Sequence, residues 1–110
     1  MSVNNSSHDF YWTNKKRSLQ RYLQPGQSFR LRLLKETEDQ PVLQAQIVGP
    51  DMAGRPTETD WYDIDSFFNG LTSWVNGVLI QTALPQVSKS DREFIKTGMS
   101  NADWEVMTKG

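Results

Sequence analysis

Two short segments of this 110-residue chain alternate strictly between apolar and polar side chains. In residues 29–33 phenylalanine and leucine alternate with Arg30 and Arg32, and in residues 43–47 leucine, alanine and isoleucine alternate with two glutamines. A period of two sends successive side chains to opposite faces of a strand, so each segment predicts a half-buried strand. The polar residues 36–40 predict a hairpin connection. One face of this hairpin is therefore expected to be buried against another element.

The chain that precedes the hairpin predicts a short helix. Thr13 or Asn14 can cap a helix that runs to about Leu23, where a Pro-Gly pair ends it. Leu19 and Tyr22 share the inward side of this helix with its last residue, since they are spaced by three and four positions.

Turn and capping residues predict the elements that follow the hairpin. These are a loop over 49–56, a third strand over 59–64, a helix from Asp65 to Asn76 and a short fourth strand over 78–82. The helix has an alternative, because Asn76-Gly77 between two apolar triplets is also typical of a two-residue hairpin turn. We favour the helix, N-capped by Asp65 or Ser66, because the apolar residues that follow fall on one helical face.

The C-terminal part of the chain predicts two short helices. Ser90 and Glu93 have the spacing of a capping box, and Gly98 ends the helix that they open. Ser100 or Asn101 can cap a last helical turn or two. The predicted fold class is α+β, with a small, mainly antiparallel sheet of 3–5 strands, one packed helix and short terminal helices. The expected core residues are Phe29, Leu31, Leu33, Ile47, Phe68, Leu71 and Val75.

The length and composition predict one small soluble domain. Residues 10–110 suit a single domain, and the Ser- and Asn-rich residues 1–9 are expected to be a flexible N-terminal tail. No apolar run approaches the roughly 20 residues that span a bilayer, and the chain start lacks the order of a signal peptide. With a cysteine-free composition, these features predict a cytoplasmic protein without membrane contact.

The residue types that are missing argue against several kinds of chemistry. The chain has no cysteine and a single histidine, His8, which removes thiolate chemistry and paired-histidine metal sites. Neither a glycine-rich phosphate loop nor a nucleophile elbow occurs. Asp60, Asp63 and Asp65 form a dense carboxylate group. On a strand, Asp63 and Asp65 would share a face and could hold Mg²⁺, but a solvated edge leading into a helix cap is the simpler interpretation. We therefore expect no enzymatic activity, no cofactor and no metal.

Charge is distributed unevenly along the chain, although the net charge is only −1. Residues 1–35 carry seven basic side chains and one acidic side chain, whereas residues 36–75 carry eight acidic side chains and one basic side chain. A basic third indicates an anionic partner. The alternative is that the basic and acidic thirds pair with each other across the sheet.

Aromatic and basic residues are interleaved in the basic third and recur near the third strand. Such residues form binding hot spots in protein interfaces, so we expect a non-catalytic protein-binding module with a protein partner. The alternative is a single-stranded nucleic-acid-binding protein with an OB-like, partly open barrel, in which cations follow phosphates and rings stack on bases. The candidate binding residues are Trp12, Lys16, Arg17, Arg21, Arg30, Arg32 and Trp61.

The stretch from Asp91 to Gly98, followed by Trp104, resembles the tails of some small bacteriophage-encoded proteins of unassigned function. In those proteins an Arg-Glu-Phe turn, a Thr-Gly or Ser-Gly break and a later tryptophan recur near the chain end. The resemblance implies a phage accessory protein that binds a host or virion protein, for example as an inhibitor of a host factor. It implies no catalytic activity.

Overall fold

A computed structural model describes residues 16–36 and 41–109 of the chain. The first described helix, α1, occupies residues 16–20. The strands are β1 (Ser28–Glu36), β2 (Pro41–Pro50), β3 (Pro56–Glu58) and β4 (Tyr62–Asp63). The other helices are α2 (Ile64–Val75), α3 (Ile80–Ala83), α4 (Lys89–Thr97) and α5 (Asn101–Lys109). The predicted tail over 1–9, the caps at Thr13 and Asn14, and residues 37–40 of the predicted hairpin connection lie outside the described residues.

Strand β2 lies at the centre of a four-stranded antiparallel sheet. It pairs with β1 along one side and with β3 and β4 along the other. The register places Arg30 opposite Gln46 and Arg32 opposite Gln44, and a register shift after Leu33 ends the regular pairing of β1. The two alternating segments therefore pair as predicted, and the α+β fold class is confirmed.

The inner face of the sheet, which carries the apolar members of the alternation, packs against α2. The ring centroids of Phe29 on β1 and Phe68 on α2 lie 5.0 Å apart, and Tyr62 stacks on Phe67 at 5.3 Å. Each such aromatic pair adds about 0.5–1.5 kcal/mol beyond the burial of its area. The C-terminal helices complete the core. The buried apolar residues are Leu19, Phe29, Ala45, Ile47, Ile64, Phe67, Phe68, Leu71, Ile80, Leu84, Val87, Phe94 and Ile95.

The predicted third strand over 59–64 is wrong, because β3 ends before this region, which holds a break, the two residues of β4 and the start of α2. At the break, the N–H of Thr59 donates to the carbonyl of Ile47, and the hydroxyl of Thr59 accepts from the N–H of Ile47. A side-chain oxygen thus takes the place of a backbone carbonyl, and the chain leaves the strand before β4. Ile64 already belongs to α2. The predicted loop before this region is also shorter, because β2 and β3 extend into it.

Helix α2 confirms the helix predicted after the third strand and is incompatible with the hairpin alternative. Its N-cap is Asp63 rather than Asp65 or Ser66, since the Asp63 carboxylate accepts from the N–H of Ser66 at 3.1 Å. Gly77, with φ of 109°, follows the last turn of the helix. There the N–H groups of Gly77 and Val78 donate to the carbonyls of Trp74 and Ser73 in the last turn, without the strand pairing that a hairpin requires.

The predicted fourth strand over 78–82 is wrong. Thr82 and Ala83 both donate their N–H groups to the carbonyl of Leu79, at 3.0 and 2.8 Å, and so form the short helix α3. This helical turn buries Ile80 against the core. Tertiary packing has therefore overridden the strand preference of an apolar run.

Serine caps begin the last two helices. Ser88 caps α4 by accepting from the N–H of Asp91 at 3.2 Å, so the predicted capping box of Ser90 and Glu93 is wrong by two residues. The helix begins earlier because the Ser88 hydroxyl satisfies a first-turn N–H and the N–H of Ser88 itself donates to Tyr62. Gly98, with φ of 80°, ends α4 as predicted. Ser100 caps α5, since its hydroxyl accepts from an N–H in the first turn.

Two residues that were predicted to be buried are exposed. Leu33 is 52% exposed, because it is the last residue of β1 before the register shift. Tyr22 is 46% exposed, because it lies in a turn that follows α1, where its N–H donates to the carbonyl of Leu19. Leu31 and Val75 are partly buried against the core, close to expectation.

Gly70 in the middle of α2 is required by close packing. A Cβ at this position would lie 2.6 Å from the carbonyl oxygen of Ala83 and even closer to the side chain of Leu84. We expect Gly70→Ala to lower the free energy of unfolding by about 1–3 kcal/mol, although alanine favours helices by about 1 kcal/mol. Urea denaturation measures this. The control is Asn69→Ala on the exposed side of α2, and a stabilised Gly70→Ala would contradict the packing.

Candidate binding surface

The face of the sheet opposite α2 carries polar and aromatic side chains in close contact. The alternation places the polar members of β1 and β2 there, and the pairing of Val48 with Glu58 adds the last residue of β3. Trp61, between β3 and β4, reaches the same face because its ring lies under the guanidinium of Arg32. We call this set of six residues the outer face: Arg30, Arg32, Gln44, Gln46, Glu58 and Trp61.

Arg32 has a fixed position on the outer face. Its guanidinium carbon lies 4.3 Å from the centroid of the Trp61 ring, and its Nε donates to Oε1 of Gln44 at 2.9 Å. A cation over a tryptophan ring contributes about 0.5–1 kcal/mol at an exposed site. The two contacts leave the guanidinium exposed but oriented, which lowers the entropy lost when a partner binds it.

Arg30 is held more loosely. Its Nη1 donates to Oε1 of Gln46 at 3.1 Å and lies 3.6 Å from a carboxylate oxygen of Glu58. The side chains of this ion pair are 57% and 63% exposed, so water screens it, and such pairs contribute about 0–1 kcal/mol. A stronger acceptor from a partner can therefore replace Glu58.

Gln46 anchors the outer face to the fold, since it is only 1% exposed. Its Nε2 donates to the carbonyl of Thr59 at 2.8 Å, while its Oε1 accepts from Arg30. A buried amide without these partners would be unfavourable by several kcal/mol. The side chain therefore links Arg30 to the break between β3 and β4.

Asp91, at the start of α4, holds the two neighbours of Trp61. Its Oδ2 accepts from the N–H of Asp60 at 3.0 Å and from the hydroxyl of Tyr62 at 2.5 Å. The Tyr62 oxygen accepts in turn from the N–H of Ser88 at 3.3 Å. Burial, and then the bond to Asp91, raises the pKa of Tyr62 to about 12. The segment between β3 and β4 is thus hydrogen-bonded to α4 through the residues immediately before and after Trp61.

A polar cluster built around two buried carboxyl groups connects the loop between β2 and β3 with α5. Arg55 donates from Nε to Asp51 at 2.7 Å and from Nη2 to Asp103 at 2.8 Å. Ser100 donates its hydroxyl to Asp51 at 2.7 Å, and Asp103 accepts from the N–H groups of Ser100 and Met52. We call Asp51, Arg55, Ser100 and Asp103 the polar cluster.

The polar cluster keeps both of its carboxyl groups ionised. Burial alone would raise the pKa of Asp51, but hydrogen bonds from Ser100, Arg55 and backbone N–H groups outweigh it and hold the pKa far below its usual value of 3.8. Burial likewise opposes ionisation of Asp103, and backbone hydrogen bonds from Ser100 and Met52 lower its pKa on balance. The cluster orders one wall of a shallow groove of about 600 Å³ beside the outer face. That groove is lined in part by Arg30, Val48, Pro50, Gly54, Pro56 and Glu58.

The structure brings three of the predicted binding residues together and leaves the others apart. Arg30, Arg32 and Trp61 share the outer face, while Trp12 lies outside the described residues. The remaining three are Lys16, Arg17 and Arg21. Within the described part of the chain they make no hydrogen bond or ion pair to the outer face, and Arg21 lies 5.9 Å from the ring centroid of the exposed Tyr22.

Sequence reasoning missed the glutamines, Glu58 and the polar cluster. The glutamines could have been found by pairing the two alternating segments in antiparallel register, which sets them opposite the arginines. The signal for the polar cluster was present in the spacing of Asp51 and Arg55 and in the Ser-x-x-Asp box that opens α5. Glu58 had no sequence signal, because the predicted strand began after it.

The described residues offer few groups for metal chemistry. Asp63 serves as the cap of α2, and Asp65 lies within that helix. Over residues 16–36 and 41–109, no group of three histidine, cysteine, aspartate or glutamate side chains could hold a metal ion. The same residues contain no helix long and apolar enough to cross a membrane.

Comparison with known proteins gives no further indication of the function. The chain matches no protein-family profile, no curated protein and no solved structure. The outer face and the polar cluster are therefore interpreted from their own geometry.

We expect Tyr62→Phe to lower the free energy of unfolding at pH 7 by about 1–3 kcal/mol, because Asp91 loses a hydrogen-bond donor. The difference from the wild type should narrow as the pH rises from 10.0 towards 12, since the unfolded tyrosine ionises before the folded one. Urea titrations across this range measure both effects. Tyr22→Phe is the matched control and should change stability by less than about 0.5 kcal/mol.

We expect acid to destabilise the fold through the polar cluster. Asp51 and Asp103 have lower pKa values in the folded than in the unfolded chain, so their contribution is complete above about pH 4 and is lost below it. Asp103→Asn should be less stable at pH 7 and should lose less stability on acidification. Thermal unfolding followed from pH 7 downward tests this, with Glu105→Gln on the exposed side of α5 as the control. If the stability of Asp103→Asn falls with pH as steeply as that of the wild type, the acid sensitivity does not come from the polar cluster.

Proposed function

We propose that this protein is a non-catalytic binding module that recognises a protein partner through the outer face. The observation that carries the proposal is the guanidinium of Arg32 held 4.3 Å above the Trp61 ring, next to Arg30 on an exposed sheet. Tryptophan and arginine are the residue types on which binding energy concentrates in protein interfaces. Here they are positioned before any partner arrives, which lowers the entropic penalty of association.

The charge of the outer face favours a protein over single-stranded nucleic acid. Glu58 lies within 3.6 Å of Arg30 and would repel a phosphate backbone that followed the arginines. The register adds Asp63 opposite Gln44 on the same side of the sheet. One face of the Trp61 ring is already covered by a cation and is not free for base stacking. Mixed charge around an aromatic residue suits a protein surface with its own acidic and apolar groups.

The biological setting in the proposal comes from the sequence. The C-terminal resemblance favours a phage accessory protein whose partner is a host or virion protein. The absence of cysteine agrees with action in the cytoplasm, and the outer face supplies hydrogen-bond donors and one ring rather than a nucleophile with its base. A binder that inhibits a host factor by covering its surface needs no more than this.

Affinity capture with matched variants tests the proposal. Trp61→Ala and Arg32→Ala should weaken the binding of a captured protein by about tenfold or more, as expected for hot-spot residues. Trp104→Ala and Lys96→Ala remove an exposed ring and an exposed cation from α5 and α4 and should leave the affinity within about twofold. Each interaction is measured with purified components, and circular dichroism verifies that every variant is folded. Equal loss in all four variants, or in none, would contradict the assignment to the outer face.

A titration with labelled mixed-sequence single-stranded DNA separates the two functions. We expect no binding at low salt. Tight binding that weakens steeply with salt and is lost in Arg32→Ala would overturn the proposal in favour of the nucleic-acid alternative.

A further inference from the structure

We propose that the edge of β1 accepts an extended segment of the partner as an additional strand, in which acidic and apolar side chains alternate. This inference rests on the proposed function, because it names the kind of segment that the binding module recognises. The site is the regularly paired part of β1, Ser28–Leu33, which we call the β1 edge.

The first support is the position of β1 in the sheet. Among the described residues β1 pairs with β2 alone, so its other side presents backbone N–H and C=O groups without a strand partner. The regular register runs from Ser28 to Leu33 and ends at the shift that follows, which gives a straight edge of about 20 Å. Edges of this kind bind extended peptides by main-chain hydrogen bonds, while pockets for alternate side chains supply specificity.

The second support is the pattern of side chains on the β1 edge. Arg30 and Arg32 point to the outer face, and Leu31 and Leu33 point to the inner face. Residues directly opposite each other in neighbouring strands lie about 5 Å apart on the same face. An added strand would lie on the side of β1 away from Gln46 and Trp61. Arg30 and Arg32 would therefore turn their guanidinium groups from β2 to the carboxylates of the added strand, while its apolar side chains would lie beside the leucines.

Leu33 is the third support, since it is an inner-face leucine that remains 52% exposed. The chain leaves this apolar side chain uncovered at the very edge where an added strand would lie. An apolar residue of that strand would remove it from water, at about 25 cal/mol for each Å² buried.

Charge disfavours a second copy of this chain as the occupant. Antiparallel pairing of two β1 edges, with both cores on the same side, sets Arg30 and Arg32 of one copy against those of the other. Like charges directly opposite each other destabilise a sheet, and basic residues on edges are a common protection against self-association. The same arginines attract an acidic strand, whose carboxylates can replace the exposed Glu58 as the acceptor for Arg30.

The test uses fluorescein-labelled nine-residue peptides in which valine alternates with glutamate. Fluorescence anisotropy with the full-length protein should show saturable binding. A peptide in which lysine replaces glutamate should bind at least about tenfold more weakly, because opposite-charge pairs become like-charge pairs. A peptide of the same composition with its glutamates in one block should also bind more weakly. Equal binding of all three, or binding of none, would overturn the inference.

Backbone methylation of the peptide distinguishes strand addition from side-chain contact. Successive N–H groups of a strand point alternately towards and away from its neighbour. The peptide methylated on its valine nitrogens and the peptide methylated on its glutamate nitrogens should therefore differ in affinity by at least about tenfold. One of the two should bind nearly as tightly as the unmodified peptide. Equal effects of the two modifications would overturn the inference, and slower amide hydrogen exchange in β1 on binding would support it.

Protein variants connect the effect to named residues. The double variant Arg30→Glu with Arg32→Glu should reverse the preference and favour the lysine peptide, whereas Lys96→Glu on α4 should keep the wild-type preference. An unchanged preference in the double variant would overturn the inference. If Trp61→Ala abolishes partner binding while the glutamate peptide does not bind, the proposed function stands and the β1 edge is excluded. Sedimentation that shows dimers strengthened by Arg32→Glu, which turns like-charge pairs into opposite-charge pairs, would assign the edge to a second copy and also overturn the inference.

Discussion

The buried amide of Gln46 is the contact that joins the two sides of the sheet. Its position on the central strand gives it one neighbour on β1 and another in the chain that follows β3, and it bonds to both. Because burying an amide without such bonds is unfavourable, the break at Thr59 and the hydrogen bond to Arg30 depend on the same side chain. Trp61 follows this break by two residues, so the aromatic centre of the outer face depends on the same amide.

The sequence predicted the parts of the fold in which one physical factor dominates. Residues 29–33 and 43–47 alternate because each strand has one buried face, and nothing else competes with that pattern. The region after β2 could not be predicted, because Thr59 replaces a backbone carbonyl with its hydroxyl and so ends strand pairing at the residue where a strand was expected to begin. The apolar run at 78–82 became a helical turn because its neighbours in space, rather than its own residues, decide how Ile80 is buried.

In the candidate site, too, the residue types could be read from the sequence, but the contacts between them depend on residues far apart in the chain. Arg30, Arg32 and Trp61 were recognisable by residue type, but their contact depends on a register that only the pairing of β1 with β2 reveals. The uneven charge along the chain had two interpretations, an anionic partner and pairing of the two thirds across the sheet, and the described contacts bear only on the second. One exposed pair, Arg30 with Glu58, connects the basic and acidic thirds, while Arg32 stacks on a ring instead.

The polar cluster has a consequence for how this chain can change over generations. Its four residues lie about fifty positions apart in two groups, and each satisfies a charge or a hydrogen bond of another. Replacing Arg55 leaves the two buried carboxyl groups without their cationic partner, which is a larger loss than the pairs themselves contribute. A lineage can therefore exchange Asp51, Arg55, Ser100 and Asp103 for apolar residues only by nearly simultaneous substitution. We expect the four residues to be conserved together in related sequences, while the exposed arginines of the outer face can vary with the surface of the partner that they bind.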